Sequence, residues 1–501
     1  MHSRIYTVSF QGVEAQKVSI EVQISGSVPA FVLVGLAEKA VAESKERVRA
    51  ALHSMGMSLP RRRITVNLAP ADMIKEGSHF DLPIAVALLC AMEVLPADEM
   101  SRYVMLGELS LTGSIEPVLG VLPAAVAATR WEHGLICPAA QGSEALWSGN
   151  DDILAPASLW DLIHHFKGDK LIAPPQKASM ECPSRFLDLK DIKGQETAKR
   201  ALEIAAAGGH NMLMVGPPGA GKSMLAARLP GLLPPMTQQE ILEVSMIHSV
   251  AGLLKDGHLV TQRPFRDPHH SASMPALVGG SIKARPGEVS LAHRGVLFLD
   301  ELPEFQRATL EALRQPLETG YVTVARANAH ITYPARFQLV AAMNPCRCGY
   351  LGTPGQECSR APKCAEEYQA KISGPLLDRI DLHVNVPAVL PTEISTVGSG
   401  ESSVQVAERI QKAMALQTAR YKGTSIIRNA EADASVLDKI VPLQGAELAF
   451  MTEAANRLHL TARSFHRVLR VARTIADLAQ SEAVQVQHLA EALSFRARQG
   501  V

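Results

Sequence analysis

The chain has 501 residues, 47% apolar and 20% charged, with 50 basic side chains balanced by 50 acidic ones. That length predicts two or three globular domains, and the zero net charge excludes a global basic field, so any nucleic-acid contact must come from a local patch. No apolar run reaches the roughly 18 residues of a membrane span, the amino terminus lacks a charged-then-apolar leader, and the cysteine count is an odd seven. Together these predict a reducing, cytoplasmic location and no membrane partner.

Residues 1–166 are expected to form the first domain. It opens with alternating strands at Ile5–Val8 and Lys17–Val22, continues into a helix over Glu38–Leu52, and returns to strands at Ile64–Leu68 and Val104–Leu106. Lys75-Glu76-Gly77-Ser78-His79-Phe80-Asp81 and Gly107-Glu108-Leu109-Ser110-Leu111-Thr112-Gly113 resemble the two signatures of the Lon-type protease domain. That family pairs a serine nucleophile in the first segment with a lysine after the second. Here the nucleophile position falls at His79 and Leu119–Ala128 contains no lysine, so no dyad forms with Ser78. The domain reads as a Lon-like α+β unit kept for packing or partner contacts.

Residues 167–188, broken by Pro174, Pro175 and Pro183, read as a linker. The second domain, residues 189–395, starts its chemistry at Gly216-Pro217-Pro218-Gly219-Ala220-Gly221-Lys222-Ser223, which fits G-x-x-x-x-G-K-[ST]. The apolar run Asn211–Val215 before it reads as a buried parallel strand, and Met224–Leu229 after it as a helix ended by Pro230. Strand, glycine loop and helix start would aim backbone N–H groups and a helix dipole at an anion. Lys222 would reach the outer phosphates of ATP and Ser223 would offer its hydroxyl to Mg2+. Gly295–Leu299 is a second buried strand ending in Asp300 and Glu301. Open α/β sheets bind ligands at such carboxyl ends. Asp300 would hold Mg2+, and Glu301 would polarise the attacking water.

Between these motifs lie His269-His270, whose side chains an extended chain would point to opposite faces, and a basic insert with Lys283 and Arg285. Tyr321–Tyr333 reads as a β-hairpin with Arg326 near its tip, suited to a phosphate contact or to packing between subunits. Leu339–Met343 predicts a third buried strand ending in Asn344, which with Pro345 would form a turn or, as in ring-forming ATPases, hold the lytic water; its order after the two nucleotide motifs favours the second. Cys346, Cys348, Cys358 and Cys364 follow among glycines and prolines. Their C-x-C-x9-C-x5-C spacing is compatible with a structural zinc knuckle or with free thiols.

Arg379, flanked by Asp378 and Asp381, would either form a surface salt bridge or, in an oligomeric ATPase, reach the γ-phosphate of a neighbouring subunit, the reading favoured here. Residues 396–501 have helical periodicity almost throughout and predict an all-α lid. On its Ala462–Leu478 helix, Arg463, Arg467 and Arg470 share one face, and Arg463 or Arg467 is expected at the γ-phosphate of its own subunit.

The whole chain resembles the magnesium-chelatase-like AAA+ family of the ComM/YifB type. Arg263–Ser271, Val296–Leu302 and Ser373–Arg379 are the stretches most characteristic of it. The resemblance implies an α/β fold, with a P-loop AAA+ core on a parallel sheet between the Lon-like domain and the helical lid, and a homo-hexameric ring. It also implies an ATP-driven DNA motor acting as a helicase or in branch migration on recombination intermediates in natural transformation, with recombination proteins as further partners. The Tyr321–Tyr333 hairpin is similar to one that MCM-type motors and magnesium chelatases carry into the ring's centre. The alternative is a remodeller, or a chelatase-type ATPase, acting on a protein partner instead of DNA.

Overall fold

The computed structural model describes residues 2–26, 28–35, 39–73, 75–178, 186–280, 285–326, 329–351, 358–389 and 400–496. Its first unit is built on a seven-stranded mixed sheet. β1 (His2–Gln11) and β2 (Glu14–Ser25) form a long antiparallel hairpin in which Ile5 faces Ile20, the turn being made by Gly12 at φ 70°. β3 (Ala30–Val34) and β4 (Arg63–Ala69) extend the sheet beyond β2. β5 (Tyr103–Met105) adds to β1 in parallel. A small ribbon of β6 (Glu108–Leu109) and β7 (Ile115–Glu116) stands apart, and β8 (Gly134–Ile136) with β9 (Ile153–Leu154) completes the order β3-β4-β2-β1-β5-β8-β9. Alternation on β4, with Ile64, Val66 and Leu68 buried, turns one face to the core. Two helices that periodicity did not reveal cover the sheet. Asp81–Ala91 is buried along its whole length, and Val121–Arg130 is buried at seven of ten positions.

The second unit is a five-stranded, wholly parallel sheet in the order β11-β12-β15-β10-β16. Its strands are β10 (Met212–Val215), β11 (Phe265–Arg266), β12 (Val296–Leu299), β15 (Gln338–Met343) and β16 (Leu382–Asn385). The three central strands, β12, β15 and β10, are buried apolar runs, the pattern of a parallel sheet covered on both faces. Inserted before β15 is the hairpin of β13 (Tyr321–Arg326) and β14 (Ala329–Pro334), with Val324 opposite Ile331. Pro230 does not end a helix as expected. Lys222–Ala226 stops by itself, and Pro230 sits in the first turn of the next helix, Leu229–Leu232, a position where proline's missing N–H costs nothing.

Among the described residues, five α-helices follow, at Ser403–Arg420, Ala434–Ile440, Gly445–Arg457, Ala462–Leu478 and Val486–Ser494. Ser402 and Gln405 form a capping box that starts the first of them. Buried Asp477 ties the helices together, accepting two hydrogen bonds from Arg420 (2.8 and 2.5 Å) and one from Arg473 (3.1 Å). The helical unit sits on the sheet unit through His210, whose ring meets Thr474 Oγ1 at 2.8 Å and Asp381 Oδ2 at 3.1 Å. The chain is thus mixed α/β, with a parallel sheet and a helical carboxyl-terminal part.

The first unit touches the second at several places, Trp147 Nε1 donating to Gly257 O at 3.0 Å among them. Buried Glu144 accepts hydrogen bonds from Ser249 Oγ (2.5 Å), on the helix Gln238–Ala251, and from Leu122 N (3.1 Å). The β1–β2 turn lies against the hairpin, since a Cβ on Gly12 would stand 2.7 Å from Thr332 O.

Candidate nucleotide site

The phosphate-loop segment leaves the carboxyl end of β10 and turns at once. A Cβ on Gly216 would stand 2.0 Å from Val386 O, so only glycine lets the loop pass β16. Gly219 and Gly221 take φ of 78° and 88°, and the helix begins at Lys222. Lys222 folds back over the loop, where its ammonium donates to Gly216 O (2.7 Å), Pro217 O (3.0 Å) and Asn344 Oδ1 (3.1 Å). Burial holds its pKa below the usual lysine value, with Asp300 and Glu301 acting in the opposite direction.

The carboxyl end of β12 supplies the acids. Ser223 Oγ donates to Asp300 Oδ2 at 2.8 Å, and Asp300 Oδ1 accepts the Glu301 N–H at 2.9 Å. Glu301 itself has φ 50°, a left-handed conformation that a non-glycine residue keeps only under constraint, often at functional sites. Lys222, Ser223, Asp300, Glu301 and Asn344, predicted from three separate strands, therefore converge on one edge of the sheet.

His270 joins them, with Nδ1 3.3 Å from Glu301 Oε2. An extended chain would point His269 and His270 to opposite faces. Instead the segment turns, and the two rings lie 4.1 Å apart at 33°. The signal for His270 was its place in the Arg263–Ser271 stretch, but no spacing rule linked it to Glu301.

The arginines gather at the other end of the same strands. Asn211 directly precedes β10, and its side chain donates to Arg379 O at 2.9 Å while accepting the Leu339 N–H at 2.8 Å. Arg379 donates to Pro375 O and to Glu318 Oε2, both at 2.7 Å. Arg467 donates to Ile380 O and to Asp378 Oδ1, both at 3.0 Å. With Arg463 and Arg470 these residues line a cavity of about 680 Å³. Four strand residues at about 3.3 Å each separate this cavity from the phosphate loop, a gap of roughly 13 Å. The expectation that Arg463 or Arg467 reaches the γ-phosphate of its own subunit is therefore corrected. The helix Ala462–Leu478 docks at the amino ends of the strands, where both arginines join Arg379.

The four cysteines lie just past Asn344. Their sulfur atoms are all within 4.8 Å of one another, with Cys346 buried and Cys348 exposed. In the first unit Ser78 Oγ donates to Glu108 Oε2, whereas the buried Lys75 ammonium donates to Pro70 O. His79 is buried against Val8 O, and burial lowers its pKa to about 4. The chain has no Ser78–lysine pair among the described residues. Of the residues expected to meet DNA, Lys283 lies outside the described residues, as does the side chain of Arg326, whose backbone pairs with Ala329 beside the hairpin tip. Arg285 is exposed, and its carbonyl accepts the Gly280 N–H at 3.4 Å.

A phosphate loop, two acids after the next strand but one and an asparagine after the strand between them, on a 2-3-4-1-5 parallel sheet with a helical appendage, define a P-loop ATPase of the AAA+ class. Family models agree over most of the chain. Residues 188–394 match magnesium chelatase subunit ChlI, 20–141 match subunit ChlI of Mg-chelatase, and 400–496 match the ChlI carboxyl-terminal model. The competence protein ComM of Haemophilus influenzae is 45% identical over 98% of this chain and 97% of its own length. YifB of Escherichia coli is 42% identical over 99% and 97%. The magnesium-chelatase 38 kDa subunit of Rhodobacter capsulatus is 31% identical over 31% of this chain and 49% of its own. The chain belongs to the magnesium-chelatase-like AAA+ family that includes ComM and YifB. That membership brings ATP and Mg2+ as its cofactors and ATP hydrolysis as its activity class. Among the described residues no helix is long and apolar enough to cross a membrane.

Proposed function

We propose that the chain hydrolyses ATP in a homo-hexameric ring and uses the energy to drive branched DNA intermediates through recombination. The observation that carries this reading is the two-ended sheet, with the phosphate loop and its acids at one end and Arg379, Arg463 and Arg467 at the other. One copy cannot bring both ends to a single nucleotide. Copies joined head to tail can, and a head-to-tail contact whose rotation closes makes a ring.

Ser223 and Asp300 offer the hard oxygen donors that suit Mg2+. When bound, that ion would neutralise charge on the β- and γ-phosphates. Gly216–Ser223 would cradle the phosphates with backbone N–H groups, and Lys222 would exchange its carbonyl partners for phosphate oxygens. Glu301, oriented by His270, would take the proton of the attacking water, and Asn344 would hold that water in line. Arg379, with Arg467 and Arg463 beside it, would supply positive charge to the neighbour's γ-phosphate only on assembly.

The Haemophilus relative is a competence protein, which supports a role in natural transformation in the cytoplasm alongside recombination proteins. The β13–β14 hairpin enters β15 at its amino end and Asn344 follows the carboxyl end of the same strand, so β15 is the element that would connect the γ-phosphate to the hairpin carrying Arg326. Arg326, Lys283 and Arg285 would contact DNA phosphates, and the four cysteines would hold one structural zinc. The first unit, residues 1–166, is read as a Lon-like fold without protease chemistry, joined by residues 167–188 to the ATPase core (189–395) and the lid (396–501). The Rhodobacter relative is a chelatase subunit, which supports the rival reading of a protein substrate.

ATPase rates measured with and without four-way-junction DNA over a salt series separate the two readings. A DNA motor is stimulated, with affinity falling steeply as salt rises. A rate and affinity indifferent to DNA would sink the motor reading in favour of a protein-directed ring.

A further inference from the structure

We infer that the zinc held by the four cysteines sets the shape of the phosphate loop, so that metal occupancy controls nucleotide affinity. The inference rests on the zinc and nucleotide assignments above and adds a physical link between them.

The sulfur geometry suits a single tetrahedral metal. At Zn–S bonds of about 2.3 Å, the edges of an S4 tetrahedron are about 3.8 Å. All four sulfurs here lie within 4.8 Å of each other, with Cys346 and Cys348 at 3.2 Å. A set of four thiolates selects zinc or iron over hard cations.

The link runs through both halves of the cluster. In the first half, Cys346 is buried two residues after Asn344, whose amide oxygen accepts the Lys222 ammonium at 3.1 Å. The Gly349 N–H closes the turn onto Cys346 O at 3.0 Å, and Gly349 takes φ 86°. A Cβ at Gly349 would stand 2.6 Å from Pro218 Cδ and 2.8 Å from Pro218 Cγ. The cysteine turn is thus pressed against the middle of the phosphate loop, with room for no side chain between them.

In the second half, Cys364 lies on the helix Lys363–Gln369. The Gln369 side chain at the end of that helix donates to Pro345 O at 3.0 Å. Pro345 stands between Asn344 and Cys346. A metal bridging Cys346 and Cys348 to Cys358 and Cys364 would therefore clamp the segment that carries Asn344 from two sides and hold the wall behind Pro218. Without it, four crowded thiols lose their common centre and the turn is free to leave the loop.

The test uses the full-length chain purified without chelators. Elemental analysis should give about one zinc per chain. Chelator-stripped protein and a Cys358→Ser/Cys364→Ser variant should bind a fluorescent ATP analogue at least about tenfold more weakly, since displacements of an ångström at a site carry costs of that order or larger. Gly349→Ala keeps all four ligands and drives a methyl group into Pro218. It should retain zinc and still lose about tenfold in affinity for the analogue. Circular dichroism monitors the fold: stripped protein that stays folded and binds the analogue like the parent would overturn the coupling, and if the stripped or cysteine variants unfold, Gly349→Ala tests whether the phosphate loop depends on the cysteine turn. Metal-free protein, or iron in place of zinc, would overturn the zinc assignment itself. Zinc-loaded Gly349→Ala that binds the analogue like the parent would overturn the coupling while leaving the zinc standing.

Discussion

Replacing Arg379 with alanine separates a folding role from a role in trans. In the folded chain its guanidinium holds Pro375 O and Glu318 Oε2, both at 2.7 Å, with the Glu318 side chain 67% exposed. An ion pair with so wet a partner contributes no more than about 1 kcal/mol to stability. A guanidinium at a transferring phosphoryl group contributes about 10³-fold or more in rate, roughly 4 kcal/mol at 1.36 kcal/mol per decade. The expected result is a melting temperature within a few degrees of the parent, unchanged binding of a fluorescent ATP analogue, and turnover lower by about three orders of magnitude. Mixing Arg379→Ala with Lys222→Ala subunits should then restore part of the turnover, because some interfaces pair an intact arginine with an intact phosphate loop. If verified mixed rings show no recovery at any ratio, or if Arg379→Ala unfolds the protein, the arginine acts within its own subunit and the two-ended reading is wrong.

Arg467→Ala should fall into the same complementation group as Arg379→Ala, since both line one cavity; rescue of one by the other in mixed rings would place them on different sides of the interface. Glu301→Gln should retain ATP binding and lose at least about a hundredfold in turnover, whereas Lys222→Ala should lose binding itself; a Glu301→Gln protein that hydrolyses ATP at the parent rate would remove Glu301 from the role of base. Burial pushes the Glu144 carboxyl above its usual range, against hydrogen bonds from Ser249, Leu122 and Gln141. A raised pKa means that the folded state binds the proton more tightly than the unfolded one. The stability contributed is therefore full below the ordinary carboxylate pKa and is lost as pH rises through the raised value. Thermal melts of the parent should show that decline and Glu144→Gln should flatten it, while Glu144→Ala, which strands the Ser249 hydroxyl and Leu122 N–H, should cost about 2 kcal/mol; parallel pH curves for parent and Glu144→Gln would contradict this account.

The nucleotide edge was legible in the sequence because its determinants are local. Gly216–Ser223, Asp300-Glu301 and Asn344 each end an apolar run, and a buried parallel strand delivers whatever follows it to the same edge of the sheet. The hairpin and β4 were legible through alternation for the same reason. The helix Asp81–Ala91 was not, because it is apolar all round and buried all round, so it carries no period to detect.

Two features were settled only by tertiary packing. His270 reaches Glu301 because the chain turns between its two histidines, and a turn that stacks their rings leaves no mark in residue spacing. Arg463 and Arg467 were correctly grouped on one helix face, but a face does not say which end of a sheet it meets. Their end was decided by the docking of that helix through Thr474 onto His210, whose ring is held in turn by Asp381, long-range contacts between residues far apart in the chain. Residue type and order thus determined the chemistry at each strand end, through short-range geometry that every parallel sheet shares. Which nucleotide the arginines can serve was decided by how the helical unit sits on the sheet, a choice made by side chains that meet only after the chain has folded.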